Sequence, residues 1–324
     1  MKNIPYGRQS ISNRDIFEVS KSLREEKITT GNQVLKFEKK INKFLKCKYS
    51  TTCNSGTSAI FLSMQAIKLK KNDVVIMPAI NFIASYNVAN LLGAKIYLAD
   101  VNKNTGQMSP QNVEDCCKKF NIKKLKAIIV MYNGGYPENA EKFINLKKKY
   151  NCYIIEDACH ALGATYKIKG ISYKVGSCKH SDISTFSLHP LKTITTGEGG
   201  IVTTNSQKLD GYIKKFRSLG IEKNPKKHWD YDVKFNGFNF RLSDFQCALG
   251  INQLKDIKSF LLERKRISEK YINELKDISQ IDFVNHSKKY KSSFHLFIIN
   301  LKNSNQIIKE KFIKYMLRNK IILQ

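Results

Sequence analysis

Two residues of the 324-residue chain stand where chemistry could be done. Asp157 ends an apolar run in CYIIEDACHALGA and is followed by His160. Lys192 follows a second apolar run, ending in Ser187, within DISTFSLHPLKTITTGEGG. A carboxylate at the end of a buried strand points into the ligand crevice, where it can bind a metal, act as a base or pair with a cation. It can equally cap the next helix, and His160 can equally be a satisfied structural histidine. A lysine held between a buried strand and the glycine turn Gly197-Glu198-Gly199-Gly200 can be desolvated. Desolvation lowers its pKa and makes the amine nucleophilic. Nearly all other lysines must be solvated. A desolvated lysine opposite a strand-end aspartate suits a Schiff base with pyridoxal phosphate, whose pyridinium needs an acidic partner.

That chemistry demands a phosphate site and a surface for the ring. Asn54-Ser55-Gly56-Thr57-Ser58 opens a helical stretch with small hydroxyl residues, as anion sites at helix N-termini do. Ordinary N-capping accounts for the same residues. Phe82, in PAINFIASYN, could stack on the ring, although a single phenylalanine is more often core.

The elements that must position these residues are short apolar runs separated by helical stretches. The runs are 73–79, 94–100, 125–132, 152–158 and 182–188. They are continuous rather than alternating, as strands buried on both faces are. Strands alternating with helices predict an α/β fold with a mostly parallel sheet, and such sheets bind ligands at the carboxyl ends of their strands. A helical stripe covers residues 34–45. After Gly250 the pattern changes to a charged helix over 251–276, a strand-like SSFHLFIINL and an amphipathic helix over 306–318. This divides the chain into a large cofactor-binding domain, 1–250, and the start of a smaller α/β domain, 251–324. The closing KIILQ reads as a strand opening that stops short, so the C-terminus is expected to be truncated.

NSGTSA, EDACHALGATY, FSLHPLKTITTGEGG and FNFRLSDFQCALG, in this order and spacing, resemble the DegT/StrS family of pyridoxal-phosphate-dependent nucleotide-sugar aminotransferases. The resemblance runs from about residue 4 to the end. It implies fold type I, the aspartate aminotransferase fold, and a homodimer with shared active sites. IPYGRQSI and HPLKTITTGEGG are most similar to the branch that makes UDP-4-amino-4,6-dideoxy-N-acetyl-β-L-altrosamine, a pseudaminic acid precursor, from a UDP-linked 4-ketosugar with glutamate as donor. The implied roles are these. Lys192 is the Schiff-base lysine, Asp157 the partner of the pyridine nitrogen, and His160 a contact near the ring hydroxyl. Phe82 stacks on the ring, and Gly56, Thr57 and Ser187 hold the phosphate. Asn239 reaches the phosphate from the neighbouring subunit, Arg241 meets an anion of donor or nucleotide, and Tyr6 and Thr29 touch substrate. MYNGGYPEN (131–139) departs from the family, which usually has Gly-Gln or Gly-Lys there.

Composition limits the rivals. Of 56 Lys+Arg against 27 Asp+Glu, a net charge of +29, only eight are arginine. Nucleic-acid surfaces usually use arginine forks, so the lysine excess reads as codon bias, and neither nucleic acid nor membrane is an expected partner. The eight cysteines form no CxxC pair or zinc-spaced cluster, so no metal is expected. The first thirty residues carry no apolar signal segment, so a cytoplasmic chain is expected. A same-fold sugar dehydratase would replace Lys192 by histidine. A perosamine-type or 3-amino transferase remains an alternative within the family. A catalytically silent, polyanion-binding homologue would bind no cofactor.

Overall fold

All five apolar runs form strands of one sheet. The computed structural model describes residues 3–324 apart from 225 and 228. The chain starts with helices α1 (Asn13–Ser22) and α2 (Asn32–Leu45). Strand–helix units follow: β1 (Tyr49–Cys53) and α3 (Gly56–Ala66), β2 (Val74–Pro78) and α4 (Ile83–Leu91), β3 (Lys95–Ala99) and α5 (Pro110–Lys119), β4 (Ala127–Met131) and α6 (Phe143–Tyr150). Next come β5 (Tyr153–Asp157), the hairpin β6 (Thr165–Ile168) and β7 (Ile171–Lys174), then β8 (Ile183–Ser187), β9 (Gly200–Thr204) and α7 (Gln207–Arg217). A second hairpin, β10 (Ile221–Lys223) and β11 (Tyr231–Val233), precedes the long α8 (Asp244–Leu275). The chain closes with β12 (Ile281–Phe283), β13 (Tyr290–Lys291), β14 (Ile299–Leu301) and α9 (Gln306–Arg318).

The central sheet has the order β1-β9-β8-β5-β4-β2-β3. Its strands are parallel from β8 to β3, and β9 alone runs antiparallel to both its neighbours. Helices cover both faces, and each face buries its own apolar cluster. Strands β1 and β9 are absent from the reading of apolar runs. Their residues, YSTTC and GIVTT, are rich in threonine, and the hydroxyls are satisfied inside the protein. Thr52 N–H and Oγ1 donate to Glu38 Oε1 at 2.8 and 3.0 Å, and Thr51 Oγ1 donates to Asp210 at 2.9 Å. Arg217 closes this network with Nη1 2.7 Å from Glu38 Oε1 and 2.7 Å from the Thr52 carbonyl. Breaking such a buried pair leaves Glu38 charged and unpaired. Arg217→Met is expected to lower the unfolding free energy by about 3 kcal/mol, read from urea denaturation.

Three expectations are corrected. Strand β3 is not buried on both faces: it forms the sheet edge, with Lys95 and Leu98 exposed. The strand-like 292–301 reduces to Ile299–Leu301, because Ser293, His295 and Leu296 spend their N–H groups on a glycine turn instead. The charged helix starts at Asp244, seven residues before 251, under a Ser243–Gln246 capping box. Residue 250 therefore falls inside α8, where a Cβ on Gly250 would meet the Phe37 ring at 2.6 Å, so glycine lets α8 pack closely on α2. The KIILQ segment makes a parallel bridge: Ile4 N–H donates to the Lys320 carbonyl at 2.8 Å and Ile322 N–H to the Ile4 carbonyl at 3.0 Å. Among the described residues no helix is long and apolar enough to cross a membrane.

Candidate active site

Strand alternation sorts the two adjacent carboxylates of β5. Glu156 turns into the core, where Tyr132 Oη donates to it at 2.7 Å, Gly176 N–H at 3.3 Å, and Ser184 Oγ also bonds to it. Burial pushes its pKa up. Asp157 emerges at the carboxyl end of the strand and is only 2% exposed. Cys159 N–H donates to its Oδ1 and Ser85 Oγ to its Oδ2, both at 3.2 Å. Ser85 lies in the first turn of α4, and the residue that opens this helix is Phe82. Phe82 is 62% exposed, so it is not a core residue. One helix thus supplies both an aromatic face and a partner for Asp157.

Lys192 sits in the turn after β8, the strand beside β5. Its N–H donates to the His189 carbonyl at 2.9 Å, and the turn is tied back by Leu188 N–H to Gly199 and Thr196 N–H to Leu188. Burial pushes the Lys192 pKa below the usual lysine value, while the neighbouring Asp157 carboxylate partly restores it. That is the desolvated amine expected from the sequence. Burial pushes the Cys159 thiol well up, so it stays protonated. Burial and the Lys192 charge push His160 down to about 3. Its Nδ1 is enclosed without a hydrogen-bond partner.

The segment 54–58 is an N-terminus of α3. Ser55 caps it, accepting from Ser58 N–H at 3.0 Å, and Ser58 Oγ donates to Asn54 at 2.6 Å. The first-turn N–H groups of Gly56 and Thr57 precede the helical ladder and remain for an anion. A Cβ on Gly56 would lie 2.8 Å from Ser187 Cβ, so glycine lets the helix end press against the end of β8. Gly56, Thr57 and Ser187 therefore share one spot. The segment 239–241 lies beside it: Asn54 N–H donates to the Phe240 carbonyl at 2.9 Å, and Arg241 N–H to Asn239 Oδ1 at 3.4 Å. Thr29 bridges Ser243, two residues past Arg241, and Asp244 fastens the same loop by accepting from Gly31 N–H at 2.7 Å. Tyr6 precedes Gly7, which packs on Leu191 next to Lys192. Asp157, Lys192, His160 and Ser85 form one group. The α3 N-terminus and Ser187 form an adjoining one, with the backbone of 239–241 running past Asn54 and Tyr6 and Thr29 on exposed segments nearby.

These groups fit pyridoxal phosphate. A buried carboxylate, an enclosed imidazole nitrogen lacking a partner, a desolvated amine and a helix N-terminus answer ring nitrogen, ring hydroxyl, aldehyde and phosphate in turn. A profile of the DegT/DnrJ/EryC1/StrS aminotransferase family matches residues 9–324. The chain belongs to this family. A UDP-4-amino-4,6-dideoxy-N-acetyl-beta-L-altrosamine transaminase of Campylobacter jejuni serotype O:23/36 is 40% identical over 298 residues, 92% of this chain and 76% of that protein. Among solved structures, the Helicobacter pylori aminotransferase PseC, involved in biosynthesis of pseudoaminic acid, superposes with a TM-score of 0.89 at 29% identity, covering 98% of this chain and 83% of that one. The putative sugar aminotransferase Spr1654 of Streptococcus pneumoniae, in its PLP-form, matches with a TM-score of 0.87 at 25% identity over 99% and 83% of the two chains. The expected fold type I and the cofactor are borne out. This aminotransferase also shows three site-region residues that sequence reading missed: Ser85, Arg264 and His295. Ser85 follows Phe82 by three residues, the spacing of one helical turn, which was the available signal. Arg264 and His295 carried none.

Proposed function

We propose that this aminotransferase moves an amino group from glutamate to C4 of a UDP-linked 4-keto-6-deoxy-N-acetylhexosamine, a precursor in pseudaminic acid biosynthesis. The observation that carries the chemistry is the desolvated Lys192 amine facing the buried Asp157 carboxylate at the ends of adjacent strands. The likeness to the Campylobacter jejuni transaminase supports the sugar. Pyridoxal phosphate, when bound, supplies an electron sink and carries nitrogen from donor to acceptor.

The chain's residues do the rest. Asp157 keeps a proton on the ring nitrogen through its negative charge. Lys192 Nζ holds the cofactor and, once displaced by the donor, takes the proton from the glutamate Cα as general base. In the second half-reaction it returns a proton to C4 of the sugar. His160 meets the ring hydroxyl, and Phe82 covers the ring. Gly56, Thr57 and Ser187 bind the phosphate, with Asn239 reaching it from a second copy in a homodimer that works in the cytoplasm. Arg241 takes an anionic group of donor or nucleotide, and Tyr6 and Thr29 contact the sugar.

The lowered Lys192 pKa has a direct consequence. At any pH below the ordinary lysine value of 10.5, a larger fraction of this amine is neutral than of a free lysine. Capture of pyridoxal phosphate should therefore reach half its plateau rate at a pH below 10.5, followed by absorbance across a pH series. The function itself is tested by borohydride reduction with peptide mapping, together with turnover of the UDP-4-ketosugar and glutamate. Fixation on Lys192 and a C4 amine on the product are expected. Fixation elsewhere, or amination at C3, overturns the reading.

A further inference from the structure

A clasp made by three residues outside the proposed reaction closes over His160. Gly134 and Gly135, both at positive φ (+67° and +88°), form the turn in MYNGGYPEN. A Cβ on Gly135 would lie 2.0 Å from Ser293 Oγ and 2.5 Å from the His160 carbonyl oxygen, so only glycine leaves room there. Into that space Ser293 Oγ donates to the His160 carbonyl at 2.5 Å. Ser293 N–H donates to the Gly135 carbonyl at 3.1 Å and His295 N–H to the Gly134 carbonyl at 3.0 Å. The His295 ring then lies against the His160 ring, with centroids 4.2 Å apart and a tilt of 39°. From α8, Arg264 donates to the carbonyls of His295 at 3.3 Å and Lys192 at 3.5 Å.

We propose that His295 is a positioning residue for His160, fixing the orientation and tautomer its imidazole presents to the cofactor ring, while Arg264 holds the Lys192 turn in register with it. The proposal rests on the cofactor reading of the Lys192 site. The argument for the tautomer is one of unmet hydrogen bonds. His160 Nδ1 and His295 Nδ1 are both enclosed and have no partner. An orphaned buried N–H is rarer than an orphaned acceptor, so each neutral ring keeps its proton on Nε2. The cation facing His160 is Lys192, Lys192 and Arg264 both face His295, and Asp157 and Cys159 precede His160 on its own segment. With His295 packed against it, the His160 ring is held from turning about its Cβ–Cγ bond and its Nδ1 stays shielded from water, so no outside partner can draw the proton to that nitrogen.

The test is nitrogen NMR of the full chain labelled with 15N-histidine, as purified and after cofactor removal. In the wild type, His160 should show the neutral Nε2–H form in both samples. His295→Ala should convert it to a tautomer average, and His295→Phe, which keeps a flat ring against His160, should retain the single form. Pyridoxal phosphate affinity should fall about tenfold in His295→Ala, the lower end of what an orienting partner of a histidine is worth. It should stay near wild type in His295→Phe. An averaged or Nδ1–H form in the wild type overturns the proposal, as does an unchanged His160 signal in His295→Ala. A wild-type protein that takes up no pyridoxal phosphate counts against the proposed function, and the imidazole signals still decide the clasp.

Discussion

Lys192→Met should reduce kcat for amino transfer by about 10⁴-fold, the upper range for loss of a positioned general base, with borohydride fixation of the cofactor abolished. In the proposed mechanism the lysine has two roles, nucleophile and proton carrier, and methionine can perform neither. The turn itself should survive. Its ties are backbone groups, Lys192 N–H to His189 and the Lys192 carbonyl to Arg264, which any residue supplies. The substitution should also stabilise the cofactor-free protein near neutral pH. The folded-state pKa of Lys192 lies below its unfolded value of 10.5, so burial of the charged amine costs stability. That cost is full below the folded pKa and disappears as pH rises past 10.5. The stability gap between Lys192→Met and wild type should therefore close as pH rises, measured by thermal unfolding at several pH values. Loss of activity with loss of fold would contradict this account.

The legible parts of this protein share a physical cause. Strands β2, β4, β5 and β8 announce themselves because both their faces are covered, and such burial writes unbroken apolar runs. Asp157, Ser187 and Lys192 follow those runs directly, so their place at strand ends could be read with them. Strands β1 and β9 escape because their buried faces carry threonines, whose hydroxyls are matched by Glu38, Asp210 and a carbonyl in segments far away in sequence. Edge strand β3 reads as doubly buried because Ile96, Tyr97 and Leu98 are apolar, yet Leu98 is 51% exposed. The site divides in the same way. Ser85 reaches Asp157 across 72 residues, and His295 stacks on a ring 135 positions earlier. Such pairings are made by topology, and no local spacing records them. The Gly134-Gly135 turn acquires its meaning only when Ser293 is seen filling it.

The second large effect belongs to Asp157. Asp157→Asn should lower kcat by about 10³-fold, the size found when one preorganised electrostatic partner is removed from a site. Stability should change little. The aspartate accepts from Cys159 N–H through Oδ1 and from Ser85 Oγ through Oδ2. An asparagine can keep the first contact with its carbonyl oxygen, and its amide can donate to the Ser85 hydroxyl, which also accepts. Shape and hydrogen bonds are thus conserved, and only the negative charge is lost. In the proposed mechanism that charge is what holds a proton on the ring nitrogen, so without it the electron sink should weaken in both half-reactions. The amine of Lys192 should respond too. Asp157 is one of the groups raising its pKa against burial, so the substitution should move that pKa further down. Asp157→Asn should then capture pyridoxal phosphate at lower pH than wild type while turning over far more slowly. Single-turnover kinetics with glutamate added to the pyridoxal phosphate-loaded enzyme, and with the ketosugar added to enzyme loaded with pyridoxamine phosphate, should show both halves slowed. If only one half slowed, the carboxylate would be acting on a substrate rather than on the ring nitrogen.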